Sequence, residues 1–304
     1  MEDKKFGNDS KRRSFPVGER DGDWGLLPAF KKNEELIKEM NSLLSDDRSF
    51  HLWWLGQSGF LLQWKGKRVL IDPYLSDSLT KKYAATDKPH IRMSEQVLDP
   101  ELLKNISIVT SSHNHTDHLD ADTLMPVLKN NSGIKFIIPE ANRDFVAERV
   151  KCKREFPIGL NDGGSVTVEE FAFHGIPAKH NQIERDEKGN CKFMGYVIAF
   201  GEYKIYHSGD TLWFDGMLDL LKPFAVDIAM LPINGNDPSR KVAGNLNCEE
   251  AAKLGKAIGA KLVIPCHYDM FTFNTADVMD FVKEAERVGQ PYRVLQGAER
   301  FGSS

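Results

Sequence analysis

Apolar residues in the first fifty positions follow a helical spacing over one segment, residues 30–44. Within FKKNEELIKEMNSLL they recur every three to four positions, at Leu36, Ile37, Met40, Leu43 and Leu44. This spacing places them on one face of an α-helix, with charged residues on the other face. The pattern predicts an amphipathic helix, which we expect to pack on the main domain rather than on a partner.

From residue 50 onward the pattern changes to short apolar runs separated by glycines and polar turns, as in HLWWLGQSGFLLQWKGKRVLID. Such runs are typical of buried strands. They predict strands at 50–55, 59–64, 67–72, 106–111, 135–139, 226–233 and 261–268. Two longer segments, 165–174 and 193–206, are also rich in strand pattern.

Helical patterns return between these runs, at 120–129, 248–259 and 275–288. Strands that dominate early and alternate with helices later favour an α+β fold of the αββα kind, a sandwich of two mixed β-sheets flanked by helices. We expect the chain to be divided into a polar arm over residues 1–28, a helix-bearing segment over 29–48 and the main domain over 49–304.

The chain has 304 residues, of which 41% are apolar and 28% charged, and its formal net charge is −4. This balance offers no broad basic surface, so we expect no nucleic-acid partner. No stretch approaches the roughly 20 apolar residues of a membrane span. The N-terminal segment lacks the apolar core of a secretory signal, and the four cysteines are well separated and predict free thiols. The expected location is therefore the cytoplasm.

Three histidines and an aspartate stand close together in the run His113-Asn114-His115-Thr116-Asp117-His118. The run lies between a predicted buried strand and a predicted helix, where functional loops form. Imidazole and carboxylate groups are ligands for zinc, manganese or iron. Residues two apart in an extended loop point the same way. His113 and His115 could therefore hold one ion, and Asp117 with His118 a second, while a site for one ion is the alternative.

The pattern His-x-His-x-Asp-His resembles the signature of the metallo-β-lactamase superfamily. The resemblance continues in order along the chain, through Asp72 in VLID, His180 in IPAKHN, Asp210 in YHSGDT and His267 in IPCHY. It implies that Asp72 supports the metal loop without binding metal. It also implies that Asp210 bridges two ions and that Asp117 and Asp210 orient the attacking hydroxide. The implied ligands of the first ion are His113, His115 and His180, and those of the second are Asp117, His118 and His267.

Three phrases, WWLGQSGF, YHSGDTLWF and AKLVIPCHYDMF, resemble the L-ascorbate-6-phosphate lactonase branch, and the similarity covers residues 50–300. One position departs from that branch, which has an acidic residue where His180 stands here. The departure changes the charge around the first ion and weakens the transfer of the lactonase substrate. His174 is the alternative to His180 as ligand. If His180 is the ligand, we expect His174 and His207 to lie beside the ligands and support them.

The resemblance implies a metal-dependent hydrolase with two divalent ions, zinc or manganese, that hold a bridging hydroxide. The expected substrate is a small anionic or phosphorylated molecule, such as a sugar-phosphate lactone. One alternative is a phosphodiesterase acting on a nucleotide, a nucleic acid or a phospholipid headgroup. Another is a metal-binding protein without catalysis. Di-iron redox chemistry is disfavoured, because such proteins usually carry glutamate where Asn114 stands.

Three residues outside the ligand motifs are candidates for substrate contacts. Arg240 and Lys241 lie in NDPSRKVAGN, a predicted loop between the last two ligand motifs, and could bind a phosphate. Trp213 follows Asp210 closely and could form a wall of the pocket. The alternative is a solvated surface pair for the two cations and a core aromatic for Trp213. Resemblance to the family also suggests a homo-oligomer with the N-terminal arm and helix as contacts.

Overall fold

Two β-sheets pack against each other with helices on their outer sides in this structure, a computed structural model that describes residues 25–303. The helices are α1 (Asn33–Ser42), α2 (Ser78–Tyr83), α3 (Ala121–Asn130), α4 (Arg143–Arg149), α5 (Met217–Leu221), α6 (Cys248–Ile258) and α7 (Val278–Val288). None of the helices in this described range is both long and apolar enough to cross a membrane.

The strands are short and follow the apolar runs of the sequence. They are β1 (His51–Gly56), β2 (Gly59–Trp64), β3 (Lys67–Ile71), β4 (Ile108–Thr110), β5 (Lys135–Pro139), β6 (Ile158–Leu160), β7 (Ser165–Val168), β8 (Phe171–Pro177), β9 (Met194–Phe200), β10 (Tyr203–His207), β11 (Ile228–Pro232), β12 (Leu262–Cys266) and β13 (Arg300–Gly302).

Both sheets combine antiparallel and parallel pairing. The first sheet has the order β13-β1-β2-β3-β4-β5-β6, and the second has the order β12-β11-β10-β9-β8-β7. Strands β1 to β3 are antiparallel neighbours, whereas β3 to β6 run parallel. Likewise β7 to β10 are antiparallel, and β10 to β12 run parallel. The predicted sandwich of two mixed sheets flanked by helices is therefore confirmed.

Strand β1 is buried on both faces, which explains its unbroken apolar sequence. Leu52 and Trp54 belong to a core that contains residues of both sheets. Trp53 and Leu55 belong to a second cluster, which also contains Leu36 of α1. Alternate side chains of a strand point to opposite faces. Each such burial contributes about 1.5–3 kcal/mol, so both faces of this strand stabilise the fold.

The first predicted helix is present as α1 and is shorter than the expected 30–44. Residues 1–24 lie outside the described residues, and so does most of the expected arm over 1–28. Just after them, Leu27 pairs with the main body, since its N–H donates to the carbonyl of Met93 at 2.8 Å. The predicted helix at 120–129 is present as α3. The carboxylate of Asp120 makes no hydrogen bond to a backbone N–H of that helix and accepts the Thr123 hydroxyl at 2.5 Å.

Several segments that follow strand ends carry the candidate site residues. Strand β3 is followed by Asp72, β4 by the loop that contains His113, β10 by the turn that contains Asp210, and β12 by His267. Within each sheet these strands run parallel to one another, so their carboxyl ends lie at the same edge. The fold thereby brings residues from distant parts of the sequence to one edge of the sandwich.

Candidate metal centre

The loop between β4 and α3 presents its histidines and aspartate on a tight turn. The N–H groups of His118 and Leu119 both donate to the carbonyl of His115, at 3.1 and 2.8 Å. The start of the loop is fixed from the second sheet, because the Tyr196 hydroxyl donates to the carbonyl of Ser111 at 2.9 Å. These hydrogen bonds, made by the protein alone, hold the predicted ligands in place.

His113, His115 and His180 form the first of two ligand groups. One nitrogen from each lies within 4.8 Å of the others. The ring of Phe193 packs against all three, with centroid distances of 5.1 Å to His113, 5.6 Å to His115 and 5.4 Å to His180. The structure therefore brings His180, from the segment after β8, to the pair that the sequence places in one loop. Phe193 was missed, because nothing local in the sequence marks it.

Asp117, His118, Asp210 and His267 form the second group, again with their ligand atoms within 4.8 Å of one another. Asp210 lies between the two groups. Its Oδ1 is 3.2 Å from the Nε2 of His118, and its Oδ2 is 3.6 Å from the Nε2 of His267 and 3.8 Å from the Nε2 of His180. A carboxylate in that position can contact ions in both groups.

The donor atoms of the cluster fit metal ions. The Nε2 atoms of His113 and His118 and the Oδ1 of Asp210 are buried and have no hydrogen-bond partner among the described residues. Buried polar atoms are almost always paired, so these atoms point to a missing ligand. The opposite ring nitrogens are held by protein groups, as is usual for metal-binding histidines. His180 donates from Nδ1 to the carbonyl of Gly244 at 2.9 Å.

Asp72 accepts hydrogen bonds from the loop that carries the first histidines and from the ring of His118. Its side chain is fully buried. Its Oδ1 accepts the hydroxyl of Thr110 at 3.1 Å and the N–H of Ser112 at 3.0 Å, and its Oδ2 accepts Nδ1 of His118 at 2.7 Å. The hydroxyl of Ser112 also donates to Oδ2. The bond from Nδ1 turns the Nε2 atom of His118 towards Asp210.

Gln57 is a further residue of the site, which no motif in the sequence marks. Its side chain is buried, and its Nε2 donates to Oδ2 of Asp117 at 2.9 Å and lies 3.0 Å from Nε2 of His267. Its carbonyl accepts the N–H of His267 at 2.9 Å. Its position in the turn between β1 and β2, at the same end of the sandwich as the candidate metal ligands, is the one feature that could have identified it. Gln57 thus fixes two residues of the second group.

The charges of the cluster favour a cation between its carboxylates. Burial opposes charging of the His118 ring, but the negative charges of Asp210 and Asp117 raise its pKa well above the ordinary value. Burial alone would raise the pKa of Asp210, yet the charges of His118 and His267 hold it well below its usual range. For His113, burial and the nearby charged His118 lower the pKa. A metal ion supplies the positive charge that the two carboxylates attract.

A cavity of about 560 Å³ opens onto the cluster. Four cationic side chains line it, and none of them forms an ion pair within residues 25–303: Lys82, Lys88, Arg149 and Lys241. The carboxylates of its lining are those of Asp117 and Asp210, both of which belong to the cluster. The outer part of the cavity is therefore positively charged and suits an anionic ligand.

The structure separates the three candidates for substrate contacts. Lys241 lines the cavity. Arg240 does not belong to the described lining, because its guanidinium is turned to the protein and donates to Oδ1 of Asn274 at 2.8 Å and to the carbonyl of Asn234 at 2.8 Å. Trp213 packs against the core of the two sheets instead of lining the cavity.

His174 and His207, the two histidines expected beside the ligands, lie in different surroundings. His207 is buried near the site, where its Nε2 donates to the carbonyl of Ser58 at 2.9 Å and its Nδ1 accepts the N–H of Gly209 at 3.4 Å. It thereby holds the turn that leads to Asp210. His174 lies within β8 and packs against the ring of Phe224, with centroids 5.1 Å apart. The structure thus places His180, not His174, in the cluster.

Comparison with known proteins gives the family. A family model described as a beta-lactamase superfamily domain matches residues 67–268. A UPF0173 metal-dependent hydrolase of Methanosarcina mazei is 32% identical over 237 residues, which cover 77% of this chain and 89% of that protein. A second one, of Caldivirga maquilingensis, is 29% identical over 245 residues, covering 80% of this chain and 93% of its own.

Solved structures give the same fold. Igni18, a metallo hydrolase of the archaeon Ignicoccus hospitalis, superposes with a TM-score of 0.61 at 24% identity, covering 84% of this chain and 99% of its own. An isothiocyanate hydrolase from Delia radicum gut bacteria superposes with a TM-score of 0.63 at 18% identity, covering 83% and 98%. The sequence matches and the shared architecture agree. The chain belongs to the metallo-β-lactamase superfamily and, within it, to the family of the UPF0173 metal-dependent hydrolases.

Proposed function

We propose that this protein is a hydrolase that uses two divalent transition-metal ions, zinc or manganese, to cleave a small anionic or phosphorylated substrate. The observation that carries the proposal is the arrangement of seven ligand side chains in two groups, with Asp210 between them. The names of the relatives, which are metal-dependent hydrolases, support the same reaction class. A sugar-phosphate lactone is one candidate substrate, in line with the resemblance to the lactonase branch.

Each ligand has a role in this proposal. His113, His115 and His180 would hold the first ion, Asp117, His118 and His267 the second, and Asp210 would contact both. Two bound ions of this kind supply Lewis acidity and lower the pKa of water to near neutrality, so no serine or cysteine nucleophile is needed.

The chain's own residues keep the site in one geometry. Gln57 donates to Oδ2 of Asp117, the carboxylate oxygen that also lies 3.5 Å from Nε2 of His267. Asp72 fixes the ring of His118, and the carbonyl of Gly244 fixes the ring of His180. Because these hydrogen bonds already fix the side chains, the site needs little rearrangement during the reaction. The cationic lining of the cavity, including Lys82 and Lys241, draws an anionic substrate towards the cluster.

A panel of substrates tests the reaction class. The panel contains sugar-phosphate lactones, cyclic nucleotides and bis-p-nitrophenyl phosphate, and it is offered to the protein loaded with zinc or with manganese. We expect the lactones to be hydrolysed. Each hydrolysis releases acid, which a pH indicator detects. Turnover confined to the two phosphodiester probes would instead make the protein a phosphodiesterase, and no turnover of any member would contradict the hydrolase proposal.

The variant His118→Ala tests whether the cluster carries that activity. Removing a ligand from the second group should lower turnover at least about 100-fold while the fold persists, since metal-dependent water activation is lost. His174→Ala is the matched control, because His174 packs against Phe224 away from the cluster. Full activity in His118→Ala, or an equal loss in His174→Ala, would refute the assignment of the site.

A further inference from the structure

We propose that the side-chain amide of Asn274 is a substrate-binding group: its Nδ2, together with the ammonium groups of Lys88 and Lys241, binds a negatively charged oxygen of the substrate. All three residues line the cavity above the cluster. The inference rests on the proposed function, because it assigns a binding subsite within that same cavity. It identifies the substrate chemistry as a carboxylate or phosphate oxygen that accepts hydrogen bonds from an amide and from ammonium groups.

The orientation of the amide is fixed by two donors. Oδ1 of Asn274 accepts Nδ2 of Asn234 at 2.9 Å and Nη1 of Arg240 at 2.8 Å. An amide oxygen only accepts hydrogen bonds and an amide nitrogen only donates them. Two donors at one end of the amide therefore identify that end as the oxygen. Arg240 is itself held, because its Nη2 donates to the carbonyls of Asn234 and Gly235 at 2.8 and 2.9 Å.

The other end of the amide is left for a ligand. Nδ2 of Asn274 has no hydrogen-bond partner among residues 25–303, and it is not one of the buried polar atoms without partners, so solvent reaches it. Because Oδ1 faces Arg240 and Asn234, Nδ2 is the end of the amide that those two donors do not occupy, on a residue that lines the cavity. The backbone of Asn274 is left-handed, with φ of 59°. Asparagine adopts a left-handed backbone more readily than most residues, although the conformation is still strained. Strained backbones of this kind are common in binding sites.

The positive charges lie on the segment that also carries Arg240. Lys241 follows Arg240 directly, and its carbonyl accepts Nζ of Lys88 at 2.6 Å. Lys88 and Lys241 are therefore neighbours, and neither forms an ion pair within the described residues. An amide donor and two ammonium groups that have no ion-pair partner among the described residues line one cavity, and together they are complementary to a negative oxygen. Arg240, which the sequence suggested as a phosphate ligand, acts here as a positioning residue for Asn274.

Substitution of Asn274 by aspartate tests the subsite. Asn274→Asp keeps an acceptor for Arg240 and Asn234 but replaces the Nδ2 donor by a negative oxygen. The zinc-loaded full chain is titrated with inorganic phosphate by calorimetry. We expect binding about 10- to 100-fold weaker than in the unchanged protein, because a hydrogen bond to a charged group is lost. Asn105→Asp is the matched control, since Asn105 is exposed and also left-handed, with φ of 60°; it should bind phosphate like the unchanged protein.

A second measurement does not depend on any variant. In the unchanged zinc-loaded protein, the side-chain amide resonance of Asn274 should shift as phosphate is added. An amide that does not shift, or equal phosphate affinity in Asn274→Asp and Asn105→Asp, would overturn the subsite even if the substrate panel is hydrolysed. If Asn274 responds to phosphate while no panel member is hydrolysed, the subsite stands and the hydrolase proposal fails.

Discussion

Three residues of the candidate centre adopt a left-handed backbone that side chains other than glycine rarely take. The φ angles are 49° at Gln57, 41° at Asp72 and 64° at His267. Such a conformation costs about 1–3 kcal/mol and persists where the surrounding structure fixes it. Each of these residues follows directly after a strand, where the turn directs its side chain to the cluster. The centre is thus held by sharp turns at strand ends.

Asp72→Asn should weaken metal binding without removing a ligand. The side-chain NH₂ of asparagine would face either the Thr110 hydroxyl and the Ser112 N–H, or Nδ1 of His118. All of these groups donate to Asp72, so a donor would face a donor. Loss of such a support typically lowers metal affinity about 10- to 100-fold. Competition with a chromophoric chelator measures this affinity. Asp162→Asn is the control, because Asp162 pairs with Arg185 away from the cluster; equal affinity in the two variants would contradict the role of Asp72.

At the scale of single residues, part of the site can be predicted from the sequence. His113 to His118 are dense in one loop, so their proximity needs no knowledge of the fold. The structure brings together His180, Asp210 and His267, which entered only through resemblance. Gln57 and Asn274 could not be predicted, because an isolated amide carries no local pattern and gains its role from partners far along the chain.

At the scale of elements, strand β9 and the turn after β10 depend on a close approach of backbones. A Cβ atom at Gly195 would lie 2.7 Å from the carbonyl oxygens of both His207 and Ser208. Backbone atoms cannot move aside as a flexible side chain can. These carbonyls begin the turn that carries Asp210. The spacing of two neighbouring strands therefore sets the position of the Asp210 carboxylate between the two groups.

Gly195→Ala should therefore destabilise the fold and disturb the cluster together. Overpacking of this kind costs about 1–3 kcal/mol, which denaturant-induced unfolding of the metal-free protein would measure. Gly25→Ala is the control, because a Cβ there meets nothing within 4 Å, and we expect a change within about 0.5 kcal/mol. Equal free energies of unfolding in the two variants would show that β9 and the turn are not tightly coupled.

Across the whole molecule, the sandwich was predictable and the cavity was not. Apolar runs and their order along the chain predict two mixed sheets, because buried strands have a local signature. The cavity lining comes from many separate segments, among them those of Lys88, Arg149 and Lys241, that no periodicity links. Arg240 illustrates the limit. Its place in the sequence suggested a ligand contact, but its Nη1 and Nη2 donate to Asn274 and to neighbouring carbonyls. The cytoplasmic location and the homo-oligomer stay predictions.

The metal content of the protein shows whether residues at the strand ends of both sheets form a centre of two ions. The purified chain is stripped with a chelator, reconstituted with zinc or manganese, freed of excess metal and examined by elemental analysis. We expect about two equivalents per chain, as in two-ion hydrolytic sites, and about one in His118→Ala, which keeps the first group. Fewer than one equivalent in the unchanged protein after reconstitution would contradict a centre of two ions.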